Sequence, residues 1–315
     1  MPDIIPLGNR TVAVRLACGA YIVVPTWNID VNVGIIRDGI IEPWTSRAIE
    51  ALLKPGHSYV NLGANFGYYM VLGAHCVGRA GRVVAVEANR LLLPWLMRSV
   101  YWAGYPDVIR LHNCAVSDVD DLEVDLMFDP QFAGGASVAA RVAADKAMST
   151  RFEDALWENV DLAPHVAADG LVTPAVGHFV RVKSRTRRLD TLLSDAPRID
   201  VLHMDIEGSE PAAILGAVDL IRRSPSLAIV MEWSPYYFRE GRMAVQRRAM
   251  CDLLDGLGYR WYRIRPEDFA PDLPAPRLEP IVQRDALLAT PHADLLVVKD
   301  LAFHHPGWPQ LVVGG

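Results

Sequence analysis

The chain has 315 residues, 51% hydrophobic and 22% charged, which is enough for a large core in one α/β domain with insertions or one domain plus a small lobe. A net charge of −6 argues against a nucleic-acid partner, which would need a broad basic face. No apolar run reaches the roughly 18–20 residues that span a bilayer, and residues 1–9 lack the pattern of a secretion signal, so a cytoplasmic protein without a membrane span is expected.

Residues 10–42 alternate in strand fashion, through Val12, Val14 and Leu16 and then Tyr21 to Val24, with breaks at Gly19 and Pro25. This predicts a hairpin-bearing N-terminal cap over residues 1–55, closed by a helix near 42–53 that Pro55 and Gly56 stop. Strand and helix signals then alternate. Strands are expected near 58–62, 82–87 and 109–115, with helices near 68–77 and 91–103, which argues a parallel sheet covered on both faces. The rhythm breaks over about 119–182. A strand-like stretch from Leu122 to Phe128 precedes an expected turn at Gly134-Gly135, and mixed polar sequence follows. This segment reads as an insertion after the third strand, over the carboxyl edge of the sheet. Helix and strand signals resume at 190–195, 199–204, 210–223 and 227–232. After a helix near 243–257 come strands near 259–264 and 293–298, which fit an antiparallel closing pair. The main domain is expected over 56–300 and a C-terminal tail over 301–315.

Within this frame one pairing carries chemistry. Residues 58–69 read Ser-Tyr-Val-Asn-Leu-Gly-Ala-Asn-Phe-Gly-Tyr-Tyr, a buried strand running into a glycine turn and then a helix; the next strand ends on Glu87. Gly63 and Gly67 allow a sharp turn and close approach to main-chain N–H groups, and the helix start after Gly67 favours an anionic group. Glu87, at the end of the second strand, is placed to accept both hydroxyls of a ribose. The unit therefore suits a nucleoside-bearing cofactor. Asn65 takes the place of the middle glycine of a dinucleotide fingerprint and crowds a pyrophosphate, so the spacing favours S-adenosylmethionine over NAD.

The stretch Asn61-Leu62-Gly63-Ala64-Asn65-Phe66-Gly67-Tyr68-Tyr69 resembles the first motif of the FkbM-type S-adenosylmethionine-dependent methyltransferases. Val86-Glu87-Ala88-Asn89, Asn113 to Asp118, Arg188 to Leu192 and Met204-Asp205-Ile206-Glu207-Gly208-Ser209-Glu210 extend the resemblance, in order, over about residues 30–300. It departs from the family at Asn61, usually Asp, and at Ala88, usually Pro. The resemblance implies a Rossmann-like class I fold with a seven-stranded, mostly parallel sheet and an antiparallel closing strand. It also implies cofactor contacts from Asn61, Gly63, Asn65, Phe66, Gly67, Tyr68, Glu87, Ala88 and Asn89. Ser117 and Asp118 would touch the adenine edge, although a turn capped by Asp118 explains them equally. The implied acceptor is a hydroxyl on a sugar, glycan or secondary metabolite.

Asp205 and Glu232 end consecutive strands and should meet the cofactor at the carboxyl rim. Asp205 is the first candidate for the general base, with Glu207 second; Asp205 could equally hold the cofactor ammonium. Related O-methyltransferases place a divalent cation between acids in such positions, but two strand-end carboxylates are a weak signal for Mg²⁺. Glu210 belongs to the first turn of the next helix and Asp190 reads as a helix N-cap. Trp233, Tyr236, Tyr237 and Phe238 either pack or line an acceptor pocket. The basic run from Arg181 to Arg188 alternates as an exposed strand face does. Cys18, Cys76, Cys114 and Cys251 read as free thiols, and His304-His305 lack a nearby acid for metal binding. Two rivals stand beside the methyltransferase: a nicotinamide-dependent oxidoreductase, and a non-catalytic cofactor-binding partner of a glycosyltransferase.

Overall fold

A computed structural model describes residues 2–129, 132–137, 148–149, 179–282, 284–290 and 292–313. The N-terminal strands β1 (Ile4–Gly8), β2 (Thr11–Arg15) and β3 (Tyr21–Pro25) form an antiparallel sheet. Its edge strand β3 is fastened by one side chain. Ser99 Oγ accepts from Val23 N at 2.9 Å and donates to Val23 O at 3.2 Å, which satisfies backbone groups that an edge would leave open.

The central sheet contains β4 (Ser58–Leu62), β5 (Arg82–Val86), β6 (Ile109–His112), β12 (Val201–Met204), β13 (Ala228–Trp233), β14 (Arg260–Ile264), β15 (Leu278–Ile281) and β16 (Ala293–Val298). Its spatial order is β15-β14-β16-β13-β12-β4-β5-β6. Strands β13, β12, β4, β5 and β6 run parallel, while β16 lies antiparallel between β13 and β14. The order reverses between β4 and β12, so the carboxyl ends of these strands flank a crevice. Tyr59 faces one apolar core, while Val60 and Leu62 face the other, as expected for a sheet buried on both faces.

Several sequence expectations change. The sheet has eight strands instead of seven, because β15 adds antiparallel to the outer edge of β14. Its Pro280 hid the strand from sequence reasoning, yet an edge position tolerates a missing N–H. The third strand ends at His112, because the Asn113 amide donates to Glu87 O at 2.8 Å and to Ala88 O at 3.3 Å and turns the chain. The short β7 (Ala115–Val116) then joins a second sheet, ordered β10 (Met148–Ser149), β11 (Phe179–Arg187), β8 (Glu123–Asp129) and β9 (Phe132–Ser137), by pairing with β11. Gly134 and Gly135 lie inside β9 (Phe132–Ser137) instead of in a turn. In β11, Arg181, Lys183 and Arg185 are exposed, while Val182, Ser184 and Thr186 are buried. Arg181 lies 3.8 Å from Asp125 and Lys183 2.5 Å from Glu123, both on β8 (Glu123–Asp129). Most of the insertion expected over 119–182, namely residues 130–131, 138–147 and 150–178, lies outside the described residues.

The helix expected over 210–223 is two helices, Glu210–Leu215 and Val218–Arg222. A Cβ on Gly216 would lie 2.1 Å from Ser117 O, so the chain bends where two backbones touch. Asp190 does not cap its own helix; it caps Val218–Arg222, accepting from Leu220 N at 2.8 Å and Asp219 N at 3.2 Å. Residues 301–313 are packed instead of tail-like: Trp308 is fully buried in the larger core, and Val313 N donates to Leu278 O at 2.8 Å. Among the described residues no helix is long and apolar enough to cross a membrane.

Candidate active site

The turn after β4 has three left-handed residues in five: Gly63 (φ +77°), Asn65 (φ +49°) and Gly67 (φ +99°). Gly63 N and Ala64 N both donate to Val86 O at 3.0 Å, which ties the turn to the end of β5. Sequence reasoning assigned the glycines to ligand approach, but the structure gives each a packing cause. A Cβ on Gly63 would lie 1.8 Å from Asp205 O, and one on Gly67 would meet Met70 Cε at 2.9 Å and Leu96 Cδ2 at 3.0 Å.

Glu87 fixes this turn. Its two carboxylate oxygens accept from Asn65 N and Asn89 N, each at 2.7 Å. Burial pushes the Glu87 carboxyl up to about 7 despite these bonds. Glu87, Gly63, Asn65 and Ala88 line a cleft of about 670 Å³. Leu92, Cys114, Val116 and Leu126 form an apolar pocket in it, and Asp205, Glu207 and Ser209 form a polar rim. Asn65 Oδ1 is buried without a hydrogen-bond partner. An orphaned acceptor beside a half-apolar, half-acidic cleft fits a ligand with an aromatic base at one end and cationic groups at the other.

The other expected cofactor residues point elsewhere. Asn61 is fully buried on the far face of β4, with its Nδ2 3.1 Å from His203 Nδ1. Burial lowers His203 to about 3, so this pair is uncharged. Phe66 packs edge-on against Trp27 and Trp95, with centroids 6.0 and 6.1 Å away. Gly67 serves the packing just described. The Tyr68 hydroxyl meets Ser46 Oγ at 2.9 Å. Asn89 Oδ1 caps the following turn through Leu91 N. Ser117 Oγ lies 3.1 Å from Asp118 Oδ1, and Asp118 binds Gln246 at 2.9 Å and Arg242 at 3.1 Å. This pair fastens the helix Gly241–Gly256; the neighbouring Cys114, Ala115 and Val116 line the cleft. Burial acts to raise Asp118, but its bonds to Gln246 and Ser117 and the Arg242 charge bring it below the usual range.

Asp205 and Glu232, foreseen from the strand ends, come together with Glu207, the second candidate base. One oxygen from each of Asp205, Glu207 and Glu232 lies within 4.8 Å of the others, so the trio could present three hard ligands to a cation. Glu207 (φ +52°) accepts the Tyr237 hydroxyl at 2.8 Å, and Gly208 (φ +92°) lets the turn pass beneath the Tyr237 ring. Glu210 braces the same turn, accepting from Ile206 N at 3.1 Å and Gly208 N at 3.4 Å. Of the aromatic run, Trp233 and Phe238 are fully buried, while Tyr236 is exposed and stacks on Tyr237 at 4.0 Å.

Two further acids, which sequence reasoning missed, extend the cluster. Glu42 (φ +40°) accepts the Tyr69 hydroxyl at 2.5 Å, and Asp294, opposite Glu232 in the β13–β16 register, accepts from Trp44 Nε1 at 3.0 Å and from Thr45. Glu42 was legible only as a helix start. Burial, then Glu232, holds Asp205 well above the usual carboxylate range. Burial, then Glu207, pushes Glu232 up to about 9, and burial, then Asp294, pushes Glu42 up to about 7. Among the described residues, no lysine or arginine ion-pairs with Asp205, Glu232, Glu42 or Asp294; the closest base is His292, with Nε2 3.4 Å from Glu232.

Residues 61–261, about two thirds of the chain, match the family model described as the methyltransferase FkbM domain. The chain belongs to the FkbM methyltransferase family. It is accordingly an S-adenosylmethionine-dependent methyltransferase, and the strand order of its central sheet is that of the class I fold. Solved structures similar to this FkbM-family enzyme include an O-methyltransferase from Bacillus cereus in complex with S-adenosylhomocysteine, at 12% identity, 82% coverage of each chain and a TM-score of 0.42. A S-adenosylmethionine-dependent O-methyltransferase from Thermotoga maritima is 14% identical, with coverage of 91% of this chain and 77% of that one and a TM-score of 0.39. Fibrillarin from Aeropyrum pernix, with natively bound S-adenosyl-L-methionine, is 11% identical over 95% of this chain and all of that one, with a TM-score of 0.36. Such remote likenesses carry no weight beside the family match. No curated protein is significantly similar in sequence.

Proposed function

We propose that this enzyme methylates a hydroxyl on a sugar, glycan or secondary metabolite, with Asp205 as the general base and Glu207 and Glu232 placing the acceptor. The convergence of these three carboxylates, with Asp205 and Glu207 lining the cleft and Glu232 within 4.8 Å of both, carries the reading. When bound, S-adenosylmethionine supplies an electrophilic methyl on a sulfonium. Gly63, Asn65, Glu87 and Ala88 line the wall that would hold the nucleoside, and the apolar pocket of Leu92, Cys114 and Val116 would take the adenine. Asp205 would take the proton of the acceptor hydroxyl, leaving its oxygen free to receive the methyl that the bound donor would supply. Burial and the neighbouring Glu232 raise the affinity of Asp205 for a proton, which favours that transfer.

The charge of the rim narrows the acceptor. Among the described residues neither Asp205 nor Glu232 has a lysine or arginine partner, so the rim offers no cation to hold a phosphorylated or carboxylated acceptor, and a neutral polyol or an amine-bearing sugar fits. Asp205→Asn should lower kcat by about 10²–10⁴-fold while leaving the Kd for S-adenosylhomocysteine within a few-fold. Equal losses in turnover and donor binding would reassign Asp205 to holding the cofactor. A phosphorylated sugar outperforming its neutral parent would overturn the acceptor class.

A further inference from the structure

A second cavity, of about 120 Å³, lies at the opposite pole of the sheet. His57 precedes β4, Asp200 precedes β12 and Ser224 precedes β13, so this is the amino end of the parallel strands, away from the cleft at their carboxyl ends. Lys54, His57, Arg198, Asp200, Ser224 and His304 line it. His304 is only 6% exposed, and among the described residues no hydrogen bond to its ring is seen. Ser224 is 1% exposed; its hydroxyl accepts from Ile199 N at 3.0 Å and donates to no described residue. Largely buried polar side chains that line a cavity with hydrogen-bonding capacity to spare can take a ligand or water.

We propose that this cavity is a binding site for a tetrahedral oxyanion, a free phosphate or sulfate or the phosphate of a small monoester. Lys54 makes no ion pair among the described residues, its ammonium standing 6.0 Å above the Phe303 ring. Arg198 lies 3.8 Å from Asp200 and is largely exposed, so its remaining N–H groups are free to reach inward. His57 uses Nδ1 to accept from Lys54 N at 3.3 Å and leaves Nε2 open. Two acids oppose the anion. Asp200 spends one oxygen on Ser58 N at 2.8 Å, and Asp300, outside the cavity lining, caps its helix through Ala302 N at 2.9 Å. Burial, then Lys54, lowers His304 to about 4, and burial lowers His57 against the pull of Asp200. An anion between them reverses that balance and draws protons onto both rings.

The test is calorimetric titration of the full-length protein with inorganic sulfate, whose charge is constant from pH 5 to 8, followed by inorganic phosphate and glycerol 3-phosphate at pH 7. Saturable sulfate binding should strengthen at least several-fold from pH 8 to pH 5 and move the His304 ring resonances. Arg198→Met and Lys54→Met, both conservative of fold, should each weaken binding about tenfold, as should His304→Gln, with no change in S-adenosylhomocysteine affinity. Tighter binding of glycerol 3-phosphate than of phosphate would assign the site to a monoester, and the reverse to the free ion. Absence of saturable binding by all three anions, or binding untouched by Arg198→Met and Lys54→Met, would overturn the proposal.

Discussion

Glu232 offers the sharpest test of the site electrostatics. Its carboxyl is pushed from an ordinary value of 4.5 to about 9, by burial first and then by Glu207, Glu210, Asp294 and Glu42. The side chain is 17% exposed, so solvent screening is modest. Because the folded state holds this proton and the unfolded state does not, the contribution of Glu232 to stability is full below pH 4.5 and is lost as pH rises toward 9. The slope is about 1.4 kcal/mol per pH unit for one group, about 3 kcal/mol accumulated by pH 7. Removing Glu232 also relieves its neighbours, whose hold on their own protons weakens, and this trims the expected difference. Glu232→Gln keeps the shape and the His292 contact but has no charge to suppress. It should match the wild type near pH 5 and exceed it by about 2–3 kcal/mol at pH 7–8, a rise in Tm of several degrees. Thermal and urea unfolding at pH 5, 6, 7 and 8 read this directly, with turnover expected to fall in the same variant. A stability difference that does not vary with pH, or a less stable variant at pH 8, would refute the electrostatic account.

The same protons couple to the donor. A sulfonium and an ammonium entering the cleft favour ionised Glu87 and Asp205, so S-adenosylmethionine should bind more tightly from pH 6 to 8 and release protons. S-adenosylhomocysteine, without the sulfonium, should show the weaker dependence. Calorimetry in buffers of different ionisation enthalpy measures the release, and equal pH profiles for the two ligands would count against it. At Gly63, alanine would place Cβ 1.8 Å from Asp205 O at a φ of +77°, and a loss of about 3 kcal/mol or more is expected. Urea unfolding of Gly63→Ala with a wild-type midpoint would show that the two strand ends are not in contact as described.

The sequence by itself determined the parallel core and the acid trio. Apolar runs such as Val83 to Val86 have one low-energy fate, a strand buried on both faces, and an acid at the end of such a strand must stand at the carboxyl rim. Asp205 and Glu232 were legible on that ground, and Glu87 because it closes the second strand. Tertiary structure decided what depends on contacts between distant segments. Gly63 is dictated by the backbone of Asp205, Asp190 caps a helix that starts 28 residues later, and Ser117-Asp118 holds the helix Gly241–Gly256. Strand β15 was masked by prolines that only an edge position permits. Glu42 and Asp294 carry no local signal of a site. They become part of the site because the N-terminal segment and the last strand fold to the same rim, where burial and like charge, properties of the assembled chain, set how tightly each acid keeps its proton.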